Sequence, residues 1–260
     1  MAKSEGYVSA EYLKKAADIT RQIKQRSYEL MQISAGDTVL DLGCGPGMDT
    51  IPLANIVGDR GRVVGVDLDA DMLKEADRYA IQAGVGHIAT HQQSSVSALP
   101  YADHTFDACR MERLLQVLPA TVPMSLVLAE AVRVLKPGAA IVAVDTDWGS
   151  VSVDAEDSVL ERTLMTFFAE HMRPNGFAGR QLYRHFKEQG LSQVEAEVFA
   201  LQHREFAQTP FGDWLCDAAL AQQRITLSQA QAWKSQLQRA TEQGLFWSSV
   251  NMVVVSAIKD

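Results

Sequence analysis

The chain has 260 residues, 47% of them hydrophobic and 22% charged, which excludes a disordered chain, a collagen-like repeat and a disulfide-rich scaffold. It has 24 Lys and Arg against 32 Asp and Glu, and the net charge of -8 argues against nucleic acid or an anionic membrane as a partner. Three scattered cysteines, a polar start and the lack of a long apolar run predict a reduced, cytoplasmic protein with no membrane span.

Strands and helices are predicted to alternate through the first half of the chain. Apolar runs bounded by Gly and Asp predict the strands, and apolar residues three or four apart predict the helices between them. The predicted strands are 38–42, 62–67, 88–92, 106–111 and 139–145, and the predicted helices are 9–32, 48–57, 70–83 and 121–135. This order predicts right-handed βαβ units and a parallel sheet that is covered on both faces.

The alternation ends after Asp147. Helices are predicted at 154–172, 180–189, 211–223 and 228–242, and strands at 193–201 and 246–258. No internal repeat and no linker rich in Pro, Gly and Ser separates these elements from the rest. We therefore expect a single domain in which the late helices form a cap inserted before the last strand.

A glycine turn follows the first predicted strand, with Gly43, Gly45 and Gly47 at alternate positions. Such glycines let the backbone turn tightly and let a ligand approach the main chain, at the sheet edge where doubly wound folds bind ligands. Asp67 ends the next strand, where a carboxylate can accept hydrogen bonds from both hydroxyls of a ribose. The alternatives are a turn without a ligand and an Asp67 that only caps a helix, although Asp69 can cap that helix instead.

The spacing of the turn distinguishes between two kinds of ligand. A dinucleotide fingerprint requires G-x-G-x-x-G, and its third glycine would stand where this chain has Met48. Asp41, two residues before the first glycine, would repel a pyrophosphate and attract an ammonium group. The turn therefore favours a ligand with a ribose and a cationic end but no phosphates, a description that S-adenosylmethionine fits.

Several motifs, in order, resemble those of the class I S-adenosylmethionine-dependent methyltransferases. Residues 39–47, Val-Leu-Asp-Leu-Gly-Cys-Gly-Pro-Gly, resemble the first motif of that family. The other landmarks are the ribose-binding strand at 63–67, Leu-Pro at 99–100, Phe-Asp-Ala at 106–108, Arg-Val-Leu-Lys-Pro-Gly at 133–138 and the final antiparallel strand at 247–258. The resemblance is closest to the small-molecule branch that includes the ubiquinone and menaquinone methyltransferases.

The resemblance implies an α/β fold with a Rossmann-like, seven-stranded mixed sheet. It divides the single domain, residues 1–260, into four parts: an N-terminal helical lid at 1–34, a cofactor-binding core at 35–150, a partly inserted helical cap with the sixth strand at 151–245, and the final strand at 246–260. S-adenosylmethionine is the implied cofactor. The implied cofactor-binding residues are Asp41, Gly43, Gly45, Gly47, Asp67, Leu68, Ser95, Val96 and Arg26.

The chain departs from the family pattern at the adenine position. The small-molecule branch usually carries Gly-Asp-Ala a few residues before Leu-Pro, and this chain has Ser-Ser-Val at 94–96. The Ser95 hydroxyl can accept a hydrogen bond from an amino group, but more weakly than a carboxylate does. Arg26 matches a basic position that can contact the cofactor carboxylate.

Residues that follow the fourth and fifth strands are candidates for the acceptor site. Asp145 and Asp147 could orient a hydroxyl, act as a base or hold a metal ion, although no third ligand is visible and no metal is predicted. His171 is a third candidate base, with packing as its alternative. The predicted acceptor-binding residues are Tyr7, Tyr12, Arg113 and Trp148, and for Arg113 a salt bridge to Glu112 is the alternative.

The predicted function is methyl transfer from S-adenosylmethionine to a small organic, mainly apolar or aromatic acceptor. The enzyme would act mainly by aligning the reacting atoms in a water-poor cleft, with an optional general base. Two alternatives stay open: a methyltransferase-fold protein that binds the cofactor without turnover, and an NAD-dependent oxidoreductase. The predicted partner is a small molecule and not a nucleic acid, with a homodimer as an option.

Overall fold

The computed structural model describes residues 20–171 and 173–260, so that most of the predicted lid, with Tyr7 and Tyr12, lies outside the described residues. The helices in the described part are α1 (Arg21–Leu30), α2 (Thr50–Val57), α3 (Ala70–Gln82), α4 (Met124–Val134), α5 (Ser158–His171), α6 (Ala178–Glu188), α7 (Asp213–Ala221) and α8 (Leu227–Glu242). The strands are β1 (Thr38–Leu42), β2 (Arg62–Asp67), β3 (Ala89–Gln93), β4 (Phe106–Glu112), β5 (Leu135–Val153), β6 (Ser192–His203) and β7 (Ser248–Ile258). None of the helices described is long and apolar enough to span a bilayer.

The seven strands form one mixed sheet in the order β3-β2-β1-β4-β5-β7-β6. Strands β1 to β5 are parallel to one another, whereas β7 lies antiparallel between β5 and β6. The predicted α/β class with a Rossmann-like, seven-stranded mixed sheet is confirmed.

Helices cover both faces of the sheet, because its central strands are apolar on both sides. Ile23 of α1 and Leu53 of α2 pack on the face that carries Val39 and Val142. On the opposite face, α4 and α6 pack against the alternate residues of the same strands, for example Leu182 against the side that carries Ile141. This two-sided burial explains why the strands read as apolar runs and not as alternating patterns.

Two elements differ from the sequence prediction. Strand β5 extends well past the predicted end at residue 145, because after a register shift between Asp147 and Ser152 it pairs again with β7. The predicted cap is also not uniform, because α6 packs on the main sheet. The other late helices and the end of β5 enclose a second apolar core. The aromatic members of this second core include Phe168, Phe211, Trp233 and Phe246.

Candidate functional site

The glycine turn lies at the carboxyl end of β1, where the chain leaves the sheet between β2 and β4. Gly43, Gly45 and Gly47 adopt positive φ angles of 68°, 50° and 74°, a region that favours glycine. A Cβ on Gly47 would lie 2.9 Å from the Cβ of Ala76 in α3. The turn therefore depends on its glycines both for its backbone conformation and for its close packing.

Asp67 connects the glycine turn with the start of α3. Its Oδ2 accepts a hydrogen bond from the Gly45 amide at 2.9 Å, and its Oδ1 accepts one from the Asp69 amide at 2.9 Å. Asp69 caps α3 by accepting from the amides of Asp71 and Met72, so the helix does not need Asp67 as its cap. Each oxygen of Asp67 retains a second lone pair with which it can accept from a ribose hydroxyl.

The segment after β3 lies next to the end of β2. The Ser94 amide donates to the carbonyl of Asp67, and the side-chain amide of Gln93 donates to the carbonyl of Leu68. The Leu68 side chain is 63% exposed, whereas Val96 is buried. These two bonds hold the segment directly before the Ser95–Val96 pair beside Asp67 and Leu68.

A cluster of charged side chains lies next to the glycine turn, and we call it the buried charge cluster. Its members are Lys24 of α1, Asp41 of β1, Asp49 before α2, and Arg110 and Glu112 of β4.

Ion pairs link these elements to one another. Lys24 Nζ lies 2.6 Å from Asp49 and 2.9 Å from Glu112, and so connects α1 with both the turn and β4. Arg110 lies 3.2 Å from Asp49 through Nη1 and binds Glu112 through Nη2.

The buried charge cluster has three carboxylates and two cations, and Arg113 adds a third positive charge at its edge, with Nε 3.5 Å from Glu112 Oε1. Asp41 Oδ2 and Glu112 Oε1 are buried and accept no hydrogen bond from any described residue. Burial, the largest effect, raises the pKa of Asp41 to about 7, and the nearby charge of Asp49 adds to that rise. Glu112 Oε1 faces Arg113, so Asp41 Oδ2 is the oxygen to which an added ammonium group would donate.

Lys24, Asp49, Arg110 and Glu112 were not predicted as site residues. One signal was present, because Arg110 interrupts an otherwise apolar strand and a buried charge needs a partner.

The structure does not bring Arg26 to the glycine turn, contrary to the sequence prediction. Its guanidinium donates to both carboxylate oxygens of Glu197 in β6, at 2.7–3.0 Å, and also contacts Glu29. The basic residue of α1 that faces the site is Lys24, which lies two positions earlier and therefore on a different side of the helix.

The candidate bases have other partners. Asp145 Oδ2 accepts from the amides of Leu115 and Gln116, and its Oδ1 accepts from the Thr146 amide. Burial raises the pKa of Asp145 to about 7 despite these bonds. The carboxyl group thus holds the segment that follows β4.

The other two candidate bases, Asp147 and His171, contact neighbouring side chains of the fold. Both oxygens of Asp147 lie 2.8 Å from Nε of Arg180, an ion pair that ties β5 to α6. His171 is exposed at the end of α5, with its ring stacked on Phe167 at 4.8 Å. The structure brings neither residue to the glycine turn. In residues 20–171 and 173–260, no group of three or more His, Cys, Asp and Glu side chains could hold a metal ion.

Arg113 directly follows β4, and Trp148 lies within β5, four residues beyond Val144, the last residue that pairs with β4. Arg113 adopts a φ of 51°, and its Nε lies 3.5 Å from Glu112 Oε1. Trp148 donates from Nε1 to Gln116 and has the guanidinium of Arg173 over its ring at 5.2 Å. Both predicted acceptor residues therefore border the carboxyl edge of the sheet, and Arg113 also forms the predicted alternative contact with Glu112.

Comparison with known proteins agrees with this geometry. Residues 39–138 match the family model described as a methyltransferase domain. An uncharacterised 37.1 kDa protein in transposon TN4556 of Streptomyces fradiae is 35% identical over 174 residues, which cover 64% of this chain and 47% of that protein. The demethylmenaquinone methyltransferase of Lactiplantibacillus plantarum is 34% identical over 126 residues, which cover 48% of this chain and 52% of that protein. The chain spans about half the length of the curated relatives it matches.

A solved structure shares the fold of the described residues. Geranyl diphosphate C-methyltransferase from Streptomyces coelicolor A3(2), crystallised with Mg²⁺, geranyl diphosphate and S-adenosyl-L-homocysteine, aligns with a TM-score of 0.57 and 17% identity. The alignment covers 100% of this chain and 90% of that one. The matching domain over residues 39–138, the ordered motifs and the strand order together support a class I S-adenosylmethionine-dependent methyltransferase.

Proposed function

We propose that the protein transfers a methyl group from S-adenosylmethionine to a small organic acceptor. The observation that carries the proposal is the buried Asp41 oxygen, Oδ2, which accepts no hydrogen bond from any described residue and lies beside the glycine turn. An ammonium group would donate to this carboxylate, whereas the pyrophosphate of NAD would be repelled by it. This argues against the NAD-dependent oxidoreductase.

The described residues fit the cofactor along its whole length. Asp41 suits its ammonium group, and Asp67 suits its ribose. Leu68, Ser95 and Val96 form the wall for its adenine. The remaining proposed contacts come from the backbone of the glycine turn, at Gly43, Gly45 and Gly47.

When bound, S-adenosylmethionine supplies a methyl group on a positively charged sulfur, which is already an activated leaving group. The residues of this chain then need mainly to bind, to orient and to exclude water. Asp145 contributes by holding the amides of Leu115 and Gln116 in place beside the site. The carboxylates of Asp145 and Asp147 already have partners, and His171 is exposed at the end of α5, so we propose catalysis by positioning without one of those three groups as the base.

The proposed acceptor is small and mainly apolar or aromatic, and it lies near Arg113 and Trp148. Most of the cap's large aromatic side chains fill the second apolar core and do not line this edge, since Phe211, Trp233 and Phe246 are each buried to within 2% exposure. The acceptor pocket therefore depends on few cap residues. A relative that acts on demethylmenaquinone and a fold neighbour that holds geranyl diphosphate support a small organic molecule as the acceptor.

We also propose a cytoplasmic location and no nucleic-acid substrate. The net charge of -8 supports the second point. Buried, free thiols at Cys44, Cys109 and Cys216 support a reducing compartment. Whether the protein forms a homodimer is a question for sedimentation of the purified chain.

Calorimetry with S-adenosylhomocysteine and NAD tests the cofactor. We expect the first ligand to bind and NAD to bind far more weakly, because of the unpaired Asp41 oxygen. Tighter binding of NAD would contradict the proposal. Turnover is tested separately, by mass spectrometry of a metabolite library incubated with the protein and S-adenosylmethionine. If the cofactor binds but no methylated product forms, the result would support the alternative that the protein has the methyltransferase fold and binds the cofactor without turnover.

Binding of S-adenosylhomocysteine is expected to release protons near pH 7. The pKa of Asp41 is raised to about 7 in the ligand-free protein, so about half of the molecules hold this proton at that pH. An ammonium group nearby favours the ionised form and expels the proton, so affinity should rise with pH between about 6 and 8. Calorimetry in two buffers of different ionisation enthalpy measures the release, and the Asp41→Asn variant should show about half a proton less. Equal release in both proteins would place the ammonium group elsewhere.

A further inference from the structure

A buried chain of hydrogen bonds connects α3 to the glycine turn through His91. The Nδ1 atom of His91 lies 2.7 Å from Oδ1 of Asp77, and its Nε2 lies 3.0 Å from the hydroxyl oxygen of Thr50. The Thr50 hydroxyl in turn lies 3.1 Å from the carbonyl oxygen of Gly47, the last glycine of the turn. The His91 and Thr50 side chains are fully buried, whereas the Asp77 side chain is 58% exposed.

The fold makes a specific space for this imidazole. Gly65 of β2 lies beside His91, and a Cβ at that position would come within 2.7 Å of His91 Cδ2 and 2.8 Å of the Cys44 sulfur. The imidazole therefore lies under the turn only because its neighbour on the adjacent strand has no side chain. A surface histidine would have no such constraint, and the sequence analysis gave no role to this one.

The number of protons allows two arrangements of the hydrogen bonds that connect Asp77, His91, Thr50 and Gly47. The Thr50 hydroxyl has one proton, and it can donate either to the Gly47 carbonyl or to His91 Nε2, but not to both. When His91 carries both ring protons, it donates to Asp77 and to Thr50, and Thr50 is free to donate to Gly47. When His91 is neutral with its proton toward Asp77, its Nε2 accepts the Thr50 proton and the Gly47 carbonyl loses that bond.

We propose that His91 is a positioning residue for the cofactor, which through Thr50 sets whether the glycine turn is held at Gly47. The inference rests on the proposed function, because the turn is the part of the chain that would contact the cofactor. It adds a control by the protonation of a residue that does not itself touch the cofactor.

Few other groups face His91. Asp77 approaches from α3, with Oδ1 2.7 Å from Nδ1 of the ring. The Cys44 thiol approaches from the turn and stays neutral, because burial raises its pKa well above the ordinary value. Thr50 of α2 and Gly65 of β2 do not titrate, and Asp67 lies two residues beyond Gly65 with its carboxylate bound to the Gly45 and Asp69 amides.

The test compares the affinity for S-adenosylhomocysteine at about pH 6 and about pH 8 in the native protein and in the His91→Leu variant. In the variant, Thr50 can donate only to Gly47, so this contribution to the pH dependence disappears. For each protein we take the ratio of the dissociation constant at high pH to that at low pH. We expect this ratio to be up to about fivefold larger in the native protein than in His91→Leu, because one hydrogen bond contributes about this much to affinity. The titration of Asp41 is common to both proteins and cancels in this comparison. Equal ratios would overturn the inference.

Two further variants make the test independent of how well His91→Leu folds. Thr50→Val removes the hydroxyl but keeps the shape, so it should weaken binding by about fivefold at low pH and also lose the pH contribution. His87→Gln is the matched control, because His87 has a 62% exposed side chain and lies 3.3 Å from Asp59, away from the turn. Its ratio should equal that of the native protein. A Thr50→Val ratio equal to the native one would overturn the inference in the same way.

A measurement without ligand separates this inference from the proposed function. The Met48 amide belongs to the same peptide unit as the Gly47 carbonyl, so its nitrogen chemical shift reports the hydrogen bond to that carbonyl. In the ligand-free native protein we expect this shift to change with pH, and in Thr50→Val we expect it to be nearly constant. If the protein does not bind S-adenosylhomocysteine but the shift changes with pH, the cofactor assignment is wrong and the two hydrogen-bond arrangements are retained. A shift that stays constant with pH in the native protein would contradict the two hydrogen-bond arrangements themselves.

Discussion

Replacing Asp67 with alanine is expected to weaken the binding of S-adenosylhomocysteine by about a hundredfold or more. The carboxylate would accept two charge-assisted hydrogen bonds from the ribose, each contributing on the order of 1.5–3 kcal/mol. It also accepts from the Gly45 and Asp69 amides, so its removal leaves the turn less firmly placed. Together these losses are larger than those expected for any other single change in the proposed cofactor site.

Calorimetry measures this effect, and Asp71→Ala is the matched control. Asp71 belongs to the same helix start but is exposed and pairs only with Lys74 at its surface. Its affinity for the ligand should be unchanged. Since Asp69 caps α3, the Asp67→Ala protein should still fold, which its unfolding curve can show. An unchanged dissociation constant in a folded Asp67→Ala variant would place the ribose elsewhere.

The elements around the glycine turn could be predicted from the sequence because their signals are local. The bounds of β1 and β2 are as predicted, since short apolar strands with polar ends leave little freedom in where they begin and end. The positive φ angles of the turn follow from alternate glycines. The same local reasoning underestimated β5, whose extension depends on pairing with β7; Ser152, for example, pairs with Ser249, 97 residues later in the sequence.

The side-chain contacts of the site could not be predicted in the same way. Arg26 and Lys24 are both basic residues of one helix, but two positions correspond to about 200° around its axis. Only the packing of α1 on the sheet decides that Lys24 meets Asp49 and Glu112 while Arg26 meets Glu197. Partners that lie 88 residues apart, as Lys24 and Glu112 do, leave no periodic signal.

His91 shows a similar limit. Its position in β3, at the edge of the sheet, would by itself suggest a surface residue, since edge strands usually have a solvated side. The structure buries it because Gly65 in the next strand leaves room under the turn. A glycine in the middle of a strand often marks such a close approach, and here it was a signal that the sequence analysis did not use.

Replacing Arg110 with methionine is expected to destabilise the protein by about 3–5 kcal/mol, the usual result of removing one partner from a buried ion pair. Arg110 is fully buried, and it neutralises Asp49 and Glu112 while lying 3.8 Å from Asp41. Methionine fills a similar space but leaves three buried carboxylates with Lys24 as the remaining cation of the cluster. Urea unfolding measures the loss. Arg78→Met, which breaks an exposed pair with Glu75 on α3, should change stability by less than about 0.5 kcal/mol.

The pH dependence of this loss distinguishes charge from packing. Asp41 has a pKa raised to about 7 in the folded protein, so its effect on stability is favourable below its ordinary value near 4 and is lost as the pH rises through about 7. Removing Arg110 takes away a charge that favours the ionised form, so the cost of ionising Asp41 grows. We therefore expect Arg110→Met to be more destabilising at about pH 8 than at about pH 5. Adding Glu112→Gln removes one of the unpaired charges and should recover part of the loss at high pH. A loss of equal size at both pH values would mean that Arg110 stabilises the fold by packing alone.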